Sequence, residues 1–167
     1  MRILASIAVL LSTPAAAAVV SADPHDLTIR ETVQVSASTD AAWSAFLRVG
    51  QWWSEEHSYS GKAANLSLDA KPGGCFCERV GDGGVEHMRV AVALPGKRLV
   101  MTGSLGPLLY EATAGVMDVT FDASAGGTAV TMEYRASGFA QGNADKLAPV
   151  VDQVLGEQLR RYAASMK

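Results

Sequence analysis

Between about Lys146 and Tyr162, apolar residues recur at helical spacing: Leu147, Val150, Val151, Val154, Leu155, Leu159 and Tyr162. They form one stripe, and Asp152, Gln153, Glu157, Arg160 and Arg161 supply a polar back. A single helix with one apolar stripe must cover an apolar surface supplied by the rest of the chain. The preceding segments provide one, because most of them alternate apolar and polar residues with the period of a strand. Leu27 to Ser36 reads as an opening strand, with a slip of phase near Glu31. Cys75 to Val80, Val85 to Leu94, Arg98 to Gly103, Ala114 to Asp122 and Thr128 to Ser137 follow as strands, and Leu66 to Leu68 as a short one. After the first strand, Ser38-Thr39-Asp40 offers helix caps, and Ala42, Ala45, Phe46 and Val49 mark a short helix ending at Gly50. Gln51-Trp52-Trp53 begins a second short turn. Pro149 is placed in the first turn of the closing helix, where its missing N–H costs nothing.

The start of the chain reads differently. Met1-Arg2 is followed by an apolar run, Ile3 to Leu11, and then by small residues. The run is shorter than the roughly 20 apolar residues a membrane span needs. Ala16-Ala17-Ala18 and Val20-Ser21-Ala22 both fit the small-x-small rule for signal-peptide cleavage. The expectation is a signal peptide over 1–22, a single domain over 23–167, and a periplasmic or secreted product without an integral membrane segment. Net charge is −3 and no basic run occurs, so nothing marks a nucleic-acid partner.

The order of elements and several local strings resemble the START-like superfamily, also called SRPBCC. The strings are Ala42-Trp43-Ser44-Ala45-Phe46, Trp52-Trp53, Pro72-Gly73-Gly74, Pro95-Gly96-Lys97-Arg98-Leu99 and Gly126-Gly127-Thr128. The resemblance runs from about Leu27 to Met166 and is nearest the polyketide cyclase/dehydrase branch and the activators of the heat-shock chaperone ATPase. It implies an α+β helix-grip fold: a curved antiparallel sheet of about seven strands wrapped on a long C-terminal helix, with two short helices after the first strand. It also implies an apolar small-molecule partner, a lipid or polyketide-like compound, held between sheet and helix without a cofactor. An exported chain would not meet a cytosolic chaperone, and no phosphate-gripping glycine loop is present.

For the hairpin from Cys75 to Leu94, a two-residue Asp82-Gly83 loop sets Arg79 opposite Glu86, Glu78 opposite His87, and Cys77 opposite Met88. Cys75, Cys77, Arg79, Glu86, Met88, Val90 and Val92 then share the more apolar face, which is assigned to the interior. Glu78 and His87 fall on the outer face as a cross-strand pair. Either pair, Arg79 with Glu86 or Glu78 with His87, is a candidate for acid/base chemistry of a cyclase, dehydratase or hydrolase. Cys75 and Cys77 are expected as free thiols, because side chains two apart on a strand project in parallel. With Met88, and His57 or His87, they make a weak soft-metal candidate; core packing explains them as well. Trp52, Trp53 and Tyr59 are candidates to line one opening of a cavity, beside Leu108 and Tyr110 of the apolar loop Leu105 to Tyr110. Cys77, Met88, Met117, Phe121, Met132 and Tyr134 are candidates to line its interior. No serine–histidine–acid set is legible. The preferred reading is a non-catalytic carrier, with an enzyme or a protein-interaction module as alternatives and the oligomeric state open.

Overall fold

A computed structural model describes residues 19–167. Calls on the leader over residues 1–18 lie outside the described part. Strand β1, Val19–Ala22, is followed by β2, Asp26–Val35. Helix α1, Thr39–Phe46, begins at Ser38, whose Oγ accepts from the Ala41 N–H at 3.3 Å. Short 3-10 turns at Val49–Gln51, Glu55–His57 and Ala63–Asn65 lead into β3, Leu66–Leu68. Then come β4 (Cys75–Val80), β5 (Gly83–Leu94) and β6 (Arg98–Thr102). A 3-10 segment at Gly106–Glu111 precedes β7 (Ala114–Ser124) and β8 (Gly127–Ser137), and α2 (Ala144–Ala164) closes the chain.

The eight strands form one antiparallel sheet in the order β1-β2-β8-β7-β6-β5-β4-β3, with α2 packed chiefly on β2. This is the α+β helix-grip arrangement. The additional strand is β1, which pairs Val19 with Ile29 and Ala22 with Leu27. Those four residues fall inside the segment expected to be cleaved. The concave face is filled by side chains that alternate along the strands: Leu27 and Ile29 from β2, Leu99 and Met101 from β6, Met117 and Phe121 from β7, and Met132 and Tyr134 from β8. Leu155, Leu159 and Tyr162 of α2 close over them.

Three local readings need correction. The phase of β2 does not slip: Leu27, Ile29, Glu31 and Val35 all point inward, and a carboxyl group occupies one inward position. On α2, Asp152 belongs to the buried face with Gln158, whereas Val150 is exposed. Counting from Ala144 places Pro149 in the second turn, where its ring removes the bond that a residue N–H would give to the Asp145 carbonyl.

Aromatic side chains tie the short helices to this core. Trp52 packs on Phe46 at 5.1 Å between ring centroids and on Tyr162 at 5.6 Å, and Trp53 packs on Phe76 at 5.2 Å. Their indole N–H groups donate to the carbonyls of Phe46 and His57. From α2, Gln158 Oε1 accepts from the Ser54 N–H at 2.7 Å and Arg161 Nε donates to the Trp52 carbonyl at 3.0 Å. The segment from Trp52 to His57 is therefore held on the C-terminal half of α2.

Candidate functional site

The β4–β5 hairpin turns through Gly81-Asp82, not Asp82-Gly83, so Arg79 lies opposite Gly84 and Cys77 opposite Glu86. Further along, Phe76 lies opposite Met88. Between these two pairs β5 carries one residue more than β4, and that residue is His87. A β-bulge of this kind turns two successive side chains toward the same side. His87 and Met88 are both buried. Because the inward positions of β4 are Phe76 and Glu78, the bulge brings the imidazole to the carboxylate: His87 Nε2 lies 3.0 Å from Glu78 Oε2. The interior face assigned to this hairpin is thus wrong for β4, and the pair placed outside is inside. Arg79 is exposed and donates to Asn65 Oδ1, while Glu86 is exposed and ion-paired with Arg89.

Across the bulge, Cys75 and Cys77 are joined in a disulfide, with their α-carbons 5.4 Å apart. The expectation of free thiols therefore fails. The two α-carbons are closer than the roughly 6.6 Å that a regular strand gives residues i and i+2. The half-buried cysteines flank the inward Phe76, and Met88 is on the other face, so the three sulfurs do not converge. Among the described residues no group of three or more His, Cys, Asp or Glu side chains could hold a metal ion.

Glu78 is a fully buried side chain with every oxygen occupied. Besides His87 it accepts from the backbone N–H groups of Tyr59, at 3.0 Å, and Ser60. Burial pulls its acidity toward the neutral form, but the hydrogen bonds from Ser60, Tyr59 and His87 outweigh this and hold the carboxyl below its ordinary range. The pKa of His87 is shifted down as well, but for the opposite reason. Burial lowers its pKa, against the opposing pull of Glu78, and favours the neutral ring. The imidazole is faced by Phe76, 4.9 Å away and tilted by 30°, and by Tyr59 at 5.7 Å.

Beside Tyr59 lies the loop from Leu105 to Ala112. Tyr59 Oη donates to the Gly106 carbonyl at 3.2 Å. Burial, then the neighbouring Tyr110, then Glu78 raise the pKa of Tyr59. The base of the loop is pinned where Thr113 Oγ1 donates to the Leu108 carbonyl and the Leu105 N–H donates to Tyr134 Oη. Burial pushes the Tyr134 hydroxyl up to about 12, so it stays protonated. The loop leaves Gly106 at φ 54° and ends with Ala112 at φ 56°, a left-handed conformation that favours glycine. Leu108 points inward, whereas Leu109 is 47% and Tyr110 77% exposed.

The residues proposed from sequence as ligand contacts thus separate into sets. Trp52, Trp53, Met88, Leu108, Met117, Phe121, Met132 and Tyr134 are buried packing residues. Tyr59 sits at the surface beside His87, the exposed Tyr110 neighbours Tyr59, and Cys77 is taken up in the disulfide. The two best-formed depressions are open clefts. One, of about 540 Å³, runs over Thr28, Thr102, Val116 and Arg135; the other, of about 430 Å³, lies beside Trp53, Glu55, Glu56 and Arg161. Sequence reasoning missed the inward Glu31, which meets Asp152 of α2 beside Gly156. Burial and Asp152 raise its pKa, and Arg160 opposes them. The apparent phase slip at Glu31 was the available signal.

The sheet order, the gripping helix and the loop position define a START-like (SRPBCC) helix-grip protein. Residues 36–164 match the family described as activator of Hsp90 ATPase homolog 1-like protein, and the chain belongs to that family. Solved structures agree on the fold. An uncharacterized protein from Rhizobium leguminosarum is 21% identical with a TM-score of 0.60, over 87% of this chain and 96% of that one. A protein of unknown function from Enterococcus faecalis is 12% identical with a TM-score of 0.59, over 86% and 72%. StfQ, a di-domain ARO/CYC from the steffimycin biosynthetic pathway, is 17% identical with a TM-score of 0.56, over 86% and 51%. No curated protein sequence matches.

Proposed function

We propose that the protein is an exported carrier that holds an apolar small molecule at the end of the grip, between the Leu105–Ala112 loop and the bulged β4–β5 hairpin. The observation that carries this reading is the exposure of Leu109 and Tyr110 on a loop that is bonded to Tyr59, whose ring packs beside the buried His87. Exposed apolar side chains near a buried polar pair suit capture of a partly apolar compound. The methionines behind them, Met88, Met101, Met117 and Met132, can repack around a guest. The family's fold supports ligand binding in general terms, and an ARO/CYC structure shares it. Export is supported by the leader pattern and by the Cys75–Cys77 disulfide, a bond that persists in oxidising compartments.

The Glu78–His87 pair favours a second reading, an enzyme of the cyclase or dehydratase kind, with neutral His87 as the base and Glu78 orienting it. A chaperone-activating role does not fit an exported chain.

Native mass spectrometry of the protein purified from its own cells, followed by extraction and identification of the bound compound, tests the carrier reading. One equivalent of an apolar compound, recovered unchanged after incubation, is the expected result. A compound turned over at a rate lost in His87→Phe would favour the enzyme. A protein that is empty and binds none of a panel of apolar probes would overturn both.

A further inference from the structure

The bulge leaves one atom of His87 with nothing to do. Glu78 carries no proton of its own to give, since two backbone N–H groups already donate to its buried carboxylate and favour the ionised form. The hydrogen between His87 and Glu78 must therefore sit on Nε2. A neutral imidazole has one N–H, so Nδ1 presents a bare lone pair. Among the described residues nothing donates to it, although only 7% of His87 is exposed. Nδ1 is not among the described side-chain atoms that are buried without a partner, so it reaches solvent, and a ligand hydroxyl can take the place of water there.

The surroundings restrict what such a ligand can be. Phe76 and Tyr59 flank the ring with flat aromatic walls, and Tyr110 neighbours Tyr59. The nearby cations are turned away: Arg79 to Asn65, and Arg89 to Glu86 and the Gly73 carbonyl. An anion brought to Nδ1 would meet the charge of Glu78 with no counter-charge. We propose that His87 Nδ1 is the polar anchor of this site, and that it selects a flat, uncharged ligand presenting one hydrogen-bond donor, a phenol or enol hydroxyl, over the corresponding ether or carboxylate. The inference rests on the apolar-binding reading and adds the polar group of the ligand.

Three probes of one shape separate the two claims: 1-naphthol, 1-methoxynaphthalene and 1-naphthoate, titrated into the full-length mature protein and followed by tryptophan fluorescence. The hydroxyl compound should bind about threefold to tenfold more tightly than its ether, the net worth of one hydrogen bond that replaces one to water, and the carboxylate should bind most weakly. His87→Phe should bring the affinities of naphthol and ether together. Equal affinities of naphthol and ether in the unaltered protein would overturn the anchor and leave apolar binding standing. Binding of none of the three would overturn both. Nitrogen-15 NMR of the unaltered protein supplies the measurement if the variant does not fold. Nδ1 should appear as the unprotonated ring nitrogen and shift with naphthol; a proton on Nδ1, or no shift, would overturn the proposal.

Discussion

Replacing Glu78 by alanine should cost about 4 kcal/mol of stability, a figure that follows from its three donors. The Tyr59 and Ser60 amides and the His87 Nε2–H all lose their acceptor. An orphaned buried donor costs about 1–3 kcal/mol. The imidazole is buried, so it should lie near the middle of that range. Tyr59 is 40% exposed, so water can reach that end of the segment and the two amides should lie near the bottom. Glu78→Gln keeps the shape, removes the charge, and should cost about half as much. The pH profile carries the same sign. Glu78 is held below its ordinary 4.5, so its contribution is present above that pH and lost as the carboxylate protonates below it. His87 is held below 6.5, so its contribution is complete above that pH and falls as the ring protonates. Both make the fold weaker in acid, and Glu78→Gln should flatten the profile below pH 4.5. Urea unfolding gives the stabilities, and hydrogen exchange reads Tyr59 and Ser60 directly. Glu78→Ala within 1 kcal/mol of the parent, with both amides as protected as before, would refute the reasoning.

Other consequences can be checked separately. Glu31→Gln should stabilise the protein by about 1 kcal/mol near neutral pH, where a buried acid beside Asp152 is costly to ionise. Its raised pKa places the native contribution below pH 4.5 and removes it as pH rises through the folded value, so thermal melts should show the variant losing this decline. Gly115→Ala should cost about 2 kcal/mol or more in urea melts, because its added carbon meets the Gly103 carbonyl and the Tyr134 hydroxyl. Tyr110→Ser should weaken binding of 1-naphthol while leaving stability within about 0.5 kcal/mol, since the side chain is 77% exposed. Amino-terminal sequencing of the mature protein should begin at Val19. Cleavage after Ala22 would remove β1 and its pairing with β2.

The sheet and its covering helix were legible because burial imposes a period: two along Val116 to Phe121 and Val130 to Tyr134, and that of a helix along Leu155 to Tyr162. The site was legible only in part. The sequence set Glu78 opposite His87 but put the pair on the outer face; the two meet inside because β5 holds one extra residue, and a bulge in a run such as Glu86-His87-Met88-Arg89 leaves no mark in composition. Polarity misled in the same way at Glu31, Glu78 and Asp152, all buried. Glu78 is satisfied by backbone groups of a distant loop, and Gln158 meets Ser54, so sequence neighbours gave no sign of either. The open loop was easier to place, because Leu105 to Tyr110 is apolar without strand or helix periodicity.

The central claim is that an apolar molecule is held where the loop meets the bulged hairpin. Amide NMR during titration with 1-naphthol tests it most directly. Saturable shifts confined to Trp53, Tyr59, His87, Leu109 and Tyr110 are predicted. Shifts concentrated at Thr28, Thr102 and Arg135 along the open cleft of the sheet, or none at saturating probe, would contradict it.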